Sequence, residues 1–174
     1  MEIYEPAEDS YFFVGFLKKY LGENQVNSYL DMGTGSGILS ETVRSFLDMK
    51  KILSVDMNKD AVRLLDKRGY NTACSDLFEN VKGGFDLITF NAPYLPEDVR
   101  EPEDSRIATT GGKKGDEISL RFLEQVGDYL NNNGVVFLLI SSLTPMDKIE
   151  KYNPKIVAKK RIFGEDLLIL EFNF

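Results

Sequence analysis

Apolar residues at Phe12, Phe13, Phe16, Leu17, Tyr20 and Leu21 return every three or four positions, a period that predicts an amphipathic helix within residues 8–22 with Gly22 as its terminator. Past that segment the pattern shortens. The run "SYLDM" at 28–32 meets "GTGSG" at 33–37, and "ILSETVRSFLDM" at 38–49 continues with helical character, so strand, glycine turn and helix follow in order. "KILSVD" reads as a buried strand ending at Asp56, and "NKDAVRLLDKRG" as a helix with Asn58 as a cap candidate and Gly69 as its stop. "NTACS" at 71–75 gives a short third strand and "FDLITF" at 85–90 a fourth. Residues 115–131 carry Ile118, Phe122, Val126 and Leu130 on one helical face, and "GVVFLLISS" at 134–142 reads as a fifth strand.

After a short helix near 145–151, "KIVAKKRI" at 155–162 and "DLLILEFN" at 166–173 are separated only by a few residues that include Gly164. That is too little chain for a parallel crossover, so the two predict an antiparallel hairpin. Strands alternating with helices, closed by such a pair, give a doubly wound α/β fold: a mostly parallel sheet with helices on both faces. Ligands of such sheets settle beyond the carboxyl ends of the strands, where the strand order reverses. Polar residues concentrate at those ends. Asp31 with Gly33, Gly35 and Gly37 closes the first strand, Asp56 the second, Ser75 with Asp76 the third, and Asn91 the fourth.

Composition narrows what such a crevice serves. At 174 residues, 43% hydrophobic and 28% charged, the chain fits one soluble globular domain, and no apolar run is long enough to span a bilayer. A single cysteine, Cys74, excludes an internal disulfide and fits a reducing, cytoplasmic setting. The opening "MEIYEPAEDS", which lacks the basic-then-apolar order of a secretory signal, leads to the same expectation. With no histidine anywhere, Ser-His-Asp and Cys-His catalysis are removed, as is a mixed nitrogen and sulfur ligand set for zinc, and no motif suggests another metal site. A formal charge of -7 disfavours a long polyanion, so direct nucleic-acid binding is not expected. The local cluster Lys155, Lys159, Lys160 and Arg161 reads as a guarded edge strand before it reads as a phosphate track.

Each candidate residue has a plain reading beside the functional one. The glycines allow a tight turn and a close ligand approach, but Ile38 stands where a dinucleotide fingerprint needs its last glycine, and no Walker lysine follows. Asp56 is placed either to accept from both hydroxyls of a ribose or to cap the helix that begins at "NKDAV". Asp76 in "SDLF" either meets an adenine amine or is solvated. Asp31, directly after a buried run, needs a cation or a donor to meet it, and a ligand carrying an ammonium or sulfonium would supply one. "NAPY" at 91–94 is either a strand-ending turn or a device that handles a substrate.

Together these residues resemble a Rossmann-like methyltransferase that uses S-adenosylmethionine, a ligand with ribose and adenine, no phosphates and a cationic methionine end. The resemblance implies the strand order 3-2-1-4-5-7-6. "FNAPY" is similar to the "NPPY" motif of HemK-like glutamine methyltransferases, and "YEPAEDS" at 4–10 looks like the opening of their short archaeal and eukaryotic branch. "ATTGGKKGDEISLRFL" and "FGEDLLILEF" look like later segments of the same branch. That branch implies methylation of the glutamine in the GGQ motif of a peptide chain release factor, and a small zinc-binding activator subunit docked along the sheet edge near the third strand. It also implies that Asp9 and Ser10 close over the methionine end of the cofactor. Asp31, Gly33, Gly35, Gly37, Asp56, Asp76, Leu77 and Asn91 complete its binding set.

An amide nitrogen is a poor nucleophile because its lone pair is shared with the carbonyl. If the Asn91 side-chain oxygen and the Ala92 carbonyl each accept one of its hydrogens, the nitrogen gains electron density and is aimed at the methyl group, so positioning is the main catalytic device. Pro93 fixes the backbone and offers no competing donor, and Tyr94 supplies a flat wall. Ala92 departs from the family's proline, yet it keeps the carbonyl and the extended bias of a residue before proline. Residues 95–114 are expected to cover the substrate, with "TGGKKG" at 110–115 as a hinge, or else to form a solvated loop. Three other readings stay open: adenine in nucleic acid, a protein lysine, or a module that binds S-adenosylmethionine without catalysis.

Overall fold

The computed structural model describes residues 3–95 and 110–174. Helix α1 (Glu8–Glu23) precedes the sheet and runs through Gly22 to an extended Asn24, so the expected terminator lies inside the last turn. Strand β1 (Tyr29–Met32) feeds helix α2 (Ile38–Val43), which is half as long as the apolar pattern suggested: after Val43 the chain closes into tight turns through Phe46 and Leu47. Strand β2 (Ile52–Asp56), helix α3 (Lys59–Lys67), β3 (Asn71–Cys74) and β4 (Phe85–Asn91) follow. Asn58 caps α3, its side chain accepting from the Asp60 N–H at 3.0 Å.

Helix α4 spans Glu117–Val126 and ends in a 3-10 turn at Gly127–Tyr129, so Leu130, read as the helix's last apolar position, instead opens β5 (Leu130–Ser141). The helix expected near 145–151 is a 3-10 turn at Ile149–Tyr152. Strands β6 (Lys155–Ile162) and β7 (Glu165–Phe172) form the antiparallel hairpin. The sheet order is β3-β2-β1-β4-β5-β7-β6, parallel except around β7. This is the doubly wound, Rossmann-like arrangement the sequence predicts. The basic cluster lies on β6, the outer edge, where Lys159 and Arg161 both pair with Asp166.

Strand alternation sorts the core into two layers. Tyr29, Leu87, Phe137 and Ile169 meet α1, α2 and α3 through Phe13, Leu17, Leu39, Val43 and Leu65. Leu30, Ile88, Val136, Leu138 and Leu170 meet α4 through Phe122, Leu123 and Val126. No helix joins β3 to β4 among the described residues; a turn instead buries Leu77, Phe78 and Val81 against the α4 layer. The chain leaves β3 at one edge and returns to β4 beside β1, so the strand order reverses between β1 and β4. A crevice is expected at that point.

Candidate active site

The four parallel strand ends do meet in one cleft of about 320 Å³. Every sequence-predicted site residue lines it except Gly37: Asp9, Ser10, Asp31, Gly33, Gly35, Asp56, Asp76, Leu77 and the whole of Asn91, Ala92, Pro93 and Tyr94. Gly37 has a different task. It caps α2 at φ +85°, and a Cβ there would come within 2.9 Å of Leu65 in the core, so this glycine serves packing and the turn rather than ligand approach.

Asp31 is 1% exposed, and its donors come from the turn and the first turn of α2 that follow it. One carboxylate oxygen accepts from the Thr34 hydroxyl at 2.7 Å, the Ser40 hydroxyl at 2.7 Å and the Ser40 N–H at 3.1 Å. A cationic ligand is therefore not required to explain its burial. Desolvation still outweighs those bonds and pushes the Asp31 carboxyl up to about 6. Asp56 ties two loops together, one oxygen accepting from the Gly35 N–H and the other from the Asn58 N–H, each at 2.8 Å. The capping role belongs to Asn58. Asp56 also lines the cleft, and burial raises its carboxyl above the usual range.

At the cleft mouth Asp76 is held at 2.9 Å by Arg121, a residue the sequence reading did not single out. Arg121 follows Ile118 by three positions, so it shares the helix face that looks toward the strand ends. Leu77 adopts φ +48° and is buried against the cleft.

Alternation along β4 explains the remaining geometry. Leu87 and Thr89 face the α1 layer, and Asn91 follows on the same side, while Phe90 and Ala92 pack into the α4 layer. The Asn91 Nδ2 thus reaches Asp9 in the first turn of α1 and donates to it at 2.9 Å. Asp9 also accepts from the Tyr4 hydroxyl at 3.0 Å and the Ser10 hydroxyl at 3.3 Å. The Asn91 Oδ1 is buried and has no hydrogen-bond partner among the described residues. Burial and the Asp9 carboxylate hold the Tyr4 phenol protonated, its pKa raised well above the usual value; Tyr94 is raised by burial, Asp9 and Glu165. Residues 96–109, the body of the expected cover over the substrate, lie outside the described residues. The "TGGKKG" segment is fastened rather than free: Thr110 bridges Leu95, the Gly111 N–H donates to the Leu95 carbonyl at 2.9 Å, and Gly111 packs against the backbone carbonyls of Pro93 and Gly115.

Residues 11–163 match the family model described as methyltransferase small domain. The chain belongs to that family. A relative from Methanocaldococcus jannaschii, provisionally named protein N5-glutamine methyltransferase, is 39% identical over 97% of this chain and 90% of its own. Mouse methyltransferase HEMK2 is 28% identical over 91% of this chain and 77% of its own, and the eRF1 methyltransferase catalytic subunit mtq2 of Schizosaccharomyces pombe is 28% identical over 79% and 72%. Among solved structures, ribosomal protein L11 methylase from Lactobacillus delbrueckii subsp. bulgaricus superposes with a TM-score of 0.70 at 20% identity, covering 99% of this chain and 82% of that one. The HemK-like resemblance of the sequence holds.

S-adenosylmethionine is the cofactor of this methyltransferase, and the donor set fits it. Among the described residues the cleft is lined by four carboxylates, Asp9, Asp31, Asp56 and Asp76, against one guanidinium, Arg121, which Asp76 already occupies. That balance suits a sulfonium and an ammonium and repels a polyphosphate. Asp56 would take the ribose hydroxyls, the Asp31 and Gly33–Gly35 loop the methionine end, and Asp76 with Leu77 the adenine. No group of three or more His, Cys, Asp or Glu side chains among the described residues is arranged to hold a metal ion.

Proposed function

We propose that this methyltransferase modifies the side-chain amide nitrogen of a protein glutamine, the one in the GGQ motif of a peptide chain release factor. The observation that carries the reading is the Asn91 Oδ1, a buried acceptor with no partner among the described residues, in a residue that lines the cofactor cleft. Leaving such an acceptor unpaired costs about 1–3 kcal/mol, which a substrate N–H would recover. The names of the relatives from M. jannaschii and S. pombe support glutamine and a release factor.

Asn91 accepts one hydrogen of the target amide through Oδ1, and the Ala92 carbonyl accepts the other. Between them they hold the nitrogen in line and keep its lone pair forward. Pro93, lacking an N–H, offers no donor that would compete for the carbonyls, and Tyr94 walls the amide plane. When bound, S-adenosylmethionine supplies an electrophilic methyl group on sulfur. Asn91 and Ala92 would hold the nitrogen against that methyl group, and the surplus proton would leave to water, so the absence of histidine does not hinder the transfer. Well-oriented reactants gain roughly 7–11 kcal/mol from positioning alone. The reading places the reaction in the cytoplasm with translation; no described helix is long and apolar enough to cross a membrane. It also includes a small zinc-binding activator on the open edge of β3, where none of the strand's four residues is buried.

Labelled S-adenosylmethionine, release factor and enzyme, with and without the activator, followed by mass spectrometry of the GGQ peptide, tests this. Label on the glutamine nitrogen is the expected result. Label confined to a lysine, to adenine in nucleic acid, or to nothing at all overturns it.

A further inference from the structure

The Asp9 carboxylate lies 5% exposed where the first turn of α1 meets the end of β4, and its two oxygens are divided between different tasks. One takes the hydroxyls of Tyr4 and Ser10, and the other takes the Asn91 Nδ2. We infer that Asp9 is a positioning residue that sets which way the Asn91 amide faces, and so makes its oxygen, not its nitrogen, the group offered to the substrate. An amide can rotate by half a turn at little cost unless its neighbours tell oxygen from nitrogen. A carboxylate does so. With Asn91 turned the other way, its oxygen would sit 2.9 Å from an acceptor-only carboxylate oxygen, and the NH₂ group would face the target amide.

Tyr4 reinforces the arrangement. Its hydroxyl donates to the Asp9 oxygen not used by Asn91, and its Cβ lies against Gly35, so the carboxylate is braced between the N-terminal segment and the glycine loop. The raised pKa of the Tyr4 phenol keeps it a donor throughout the working pH range. This assigns the "YEPAEDS" segment to the methyl acceptor's side of the reaction, through Asn91, in addition to any contact with the cofactor. The inference rests on the reading of Asn91 as the acceptor of the target amide.

Four chains decide it: wild type, Asp9→Ala, Asp9→Asn and Tyr4→Phe. Each is compared by melting temperature, S-adenosylhomocysteine affinity by calorimetry, kcat and KM for the GGQ peptide, and the proton shift of the Asn91 side-chain amide by NMR, assigned with Asn91→Ala. Misorienting a reacting group costs about 10²-fold, so Asp9→Ala is expected to lower kcat, measured at saturating S-adenosylmethionine, by about that factor while KM for the peptide changes less than about threefold. Its Asn91 amide proton should also lose the downfield shift of a carboxylate bond. Asp9→Asn should recover part of kcat, because its own oxygen can face Asn91 while its NH₂ donates to the Tyr4 oxygen. Tyr4→Phe should show a smaller loss, about 3–10-fold, through kcat alone. Should Asp9→Ala not fold, the other two variants carry the comparison. A weakened affinity with unchanged kcat, or an Asn91 amide signal that Asp9→Ala leaves in place, overturns the inference. If wild type fails to methylate the peptide, the glutamine reading falls instead, and the NMR comparison still decides the orientation.

Discussion

Asp31 shows how much a single carboxylate can cost in this cleft. Burial raises its folded pKa to about 6 from an ordinary 3.8, so between those values the folded protein holds a proton that the unfolded chain gives up. The group is least costly below pH about 4, and stability is lost as pH rises through that window to 6. Relative to Asp31→Asn, wild-type stability should fall by on the order of 3 kcal/mol across this range and stay level above about pH 7. Urea unfolding at a series of pH values measures the difference, and a flat difference would mean that the Thr34 and Ser40 bonds already compensate the charge. That Asp31 needed a partner was legible in the sequence, because a charge followed a buried run. Its partner was not, because Thr34 and Ser40 reach it only through the turn at 33–37. Tyr4 and Arg121 were missed for a similar reason: nothing local marks a tyrosine that meets Asp9 or an arginine that crosses to Asp76 from a different element.

The elements were easier to read than their ends. Strands β1, β2, β4 and β5 lie where their apolar runs stand, since buried parallel strands announce themselves by composition, whereas the unburied β3 and the basic edge strand β6 were read from their place between turns. Helix ends depended on tertiary contacts. Leu130 continues the period of α4, yet it pairs with Phe85 as the first residue of β5, so sheet register overrode the helical pattern. The glycine loop shows the same competition. Its glycines suggested a ligand contact, but Gly37 is fixed by its positive φ and by Leu65. Gly37→Ala should therefore destabilise the fold by about 2–4 kcal/mol, combining left-handed strain with overpacking. Denaturant unfolding tests this, and a loss below about 0.5 kcal/mol would show that Leu65 and the turn yield easily.

At the scale of the molecule, the doubly wound topology brings α1, the glycine loop, β2, β3 and β4 to one end of the sheet, although Asp9 and Asn91 are 82 positions apart. Topology of this kind follows from the order of elements, which is why the location of the cleft could be read from sequence while the hydrogen bonds within it could not. It also divides the cleft: acidic loops on one side of the reversal point suit a cationic cofactor, and the end of β4 carries the Asn91 Oδ1, an acceptor with no partner among the described residues. The central claim is that Asn91 grips the nitrogen that is methylated. Single-turnover methyl transfer by Asn91→Ala, measured beside its S-adenosylhomocysteine affinity, tests it most directly. Removal of a preorganised hydrogen-bonding group at a reacting centre costs about 10²–10³-fold, so transfer to glutamine should fall by that factor while affinity changes less than about threefold. Transfer at the wild-type rate, or a loss accounted for by weaker cofactor binding, would contradict the claim.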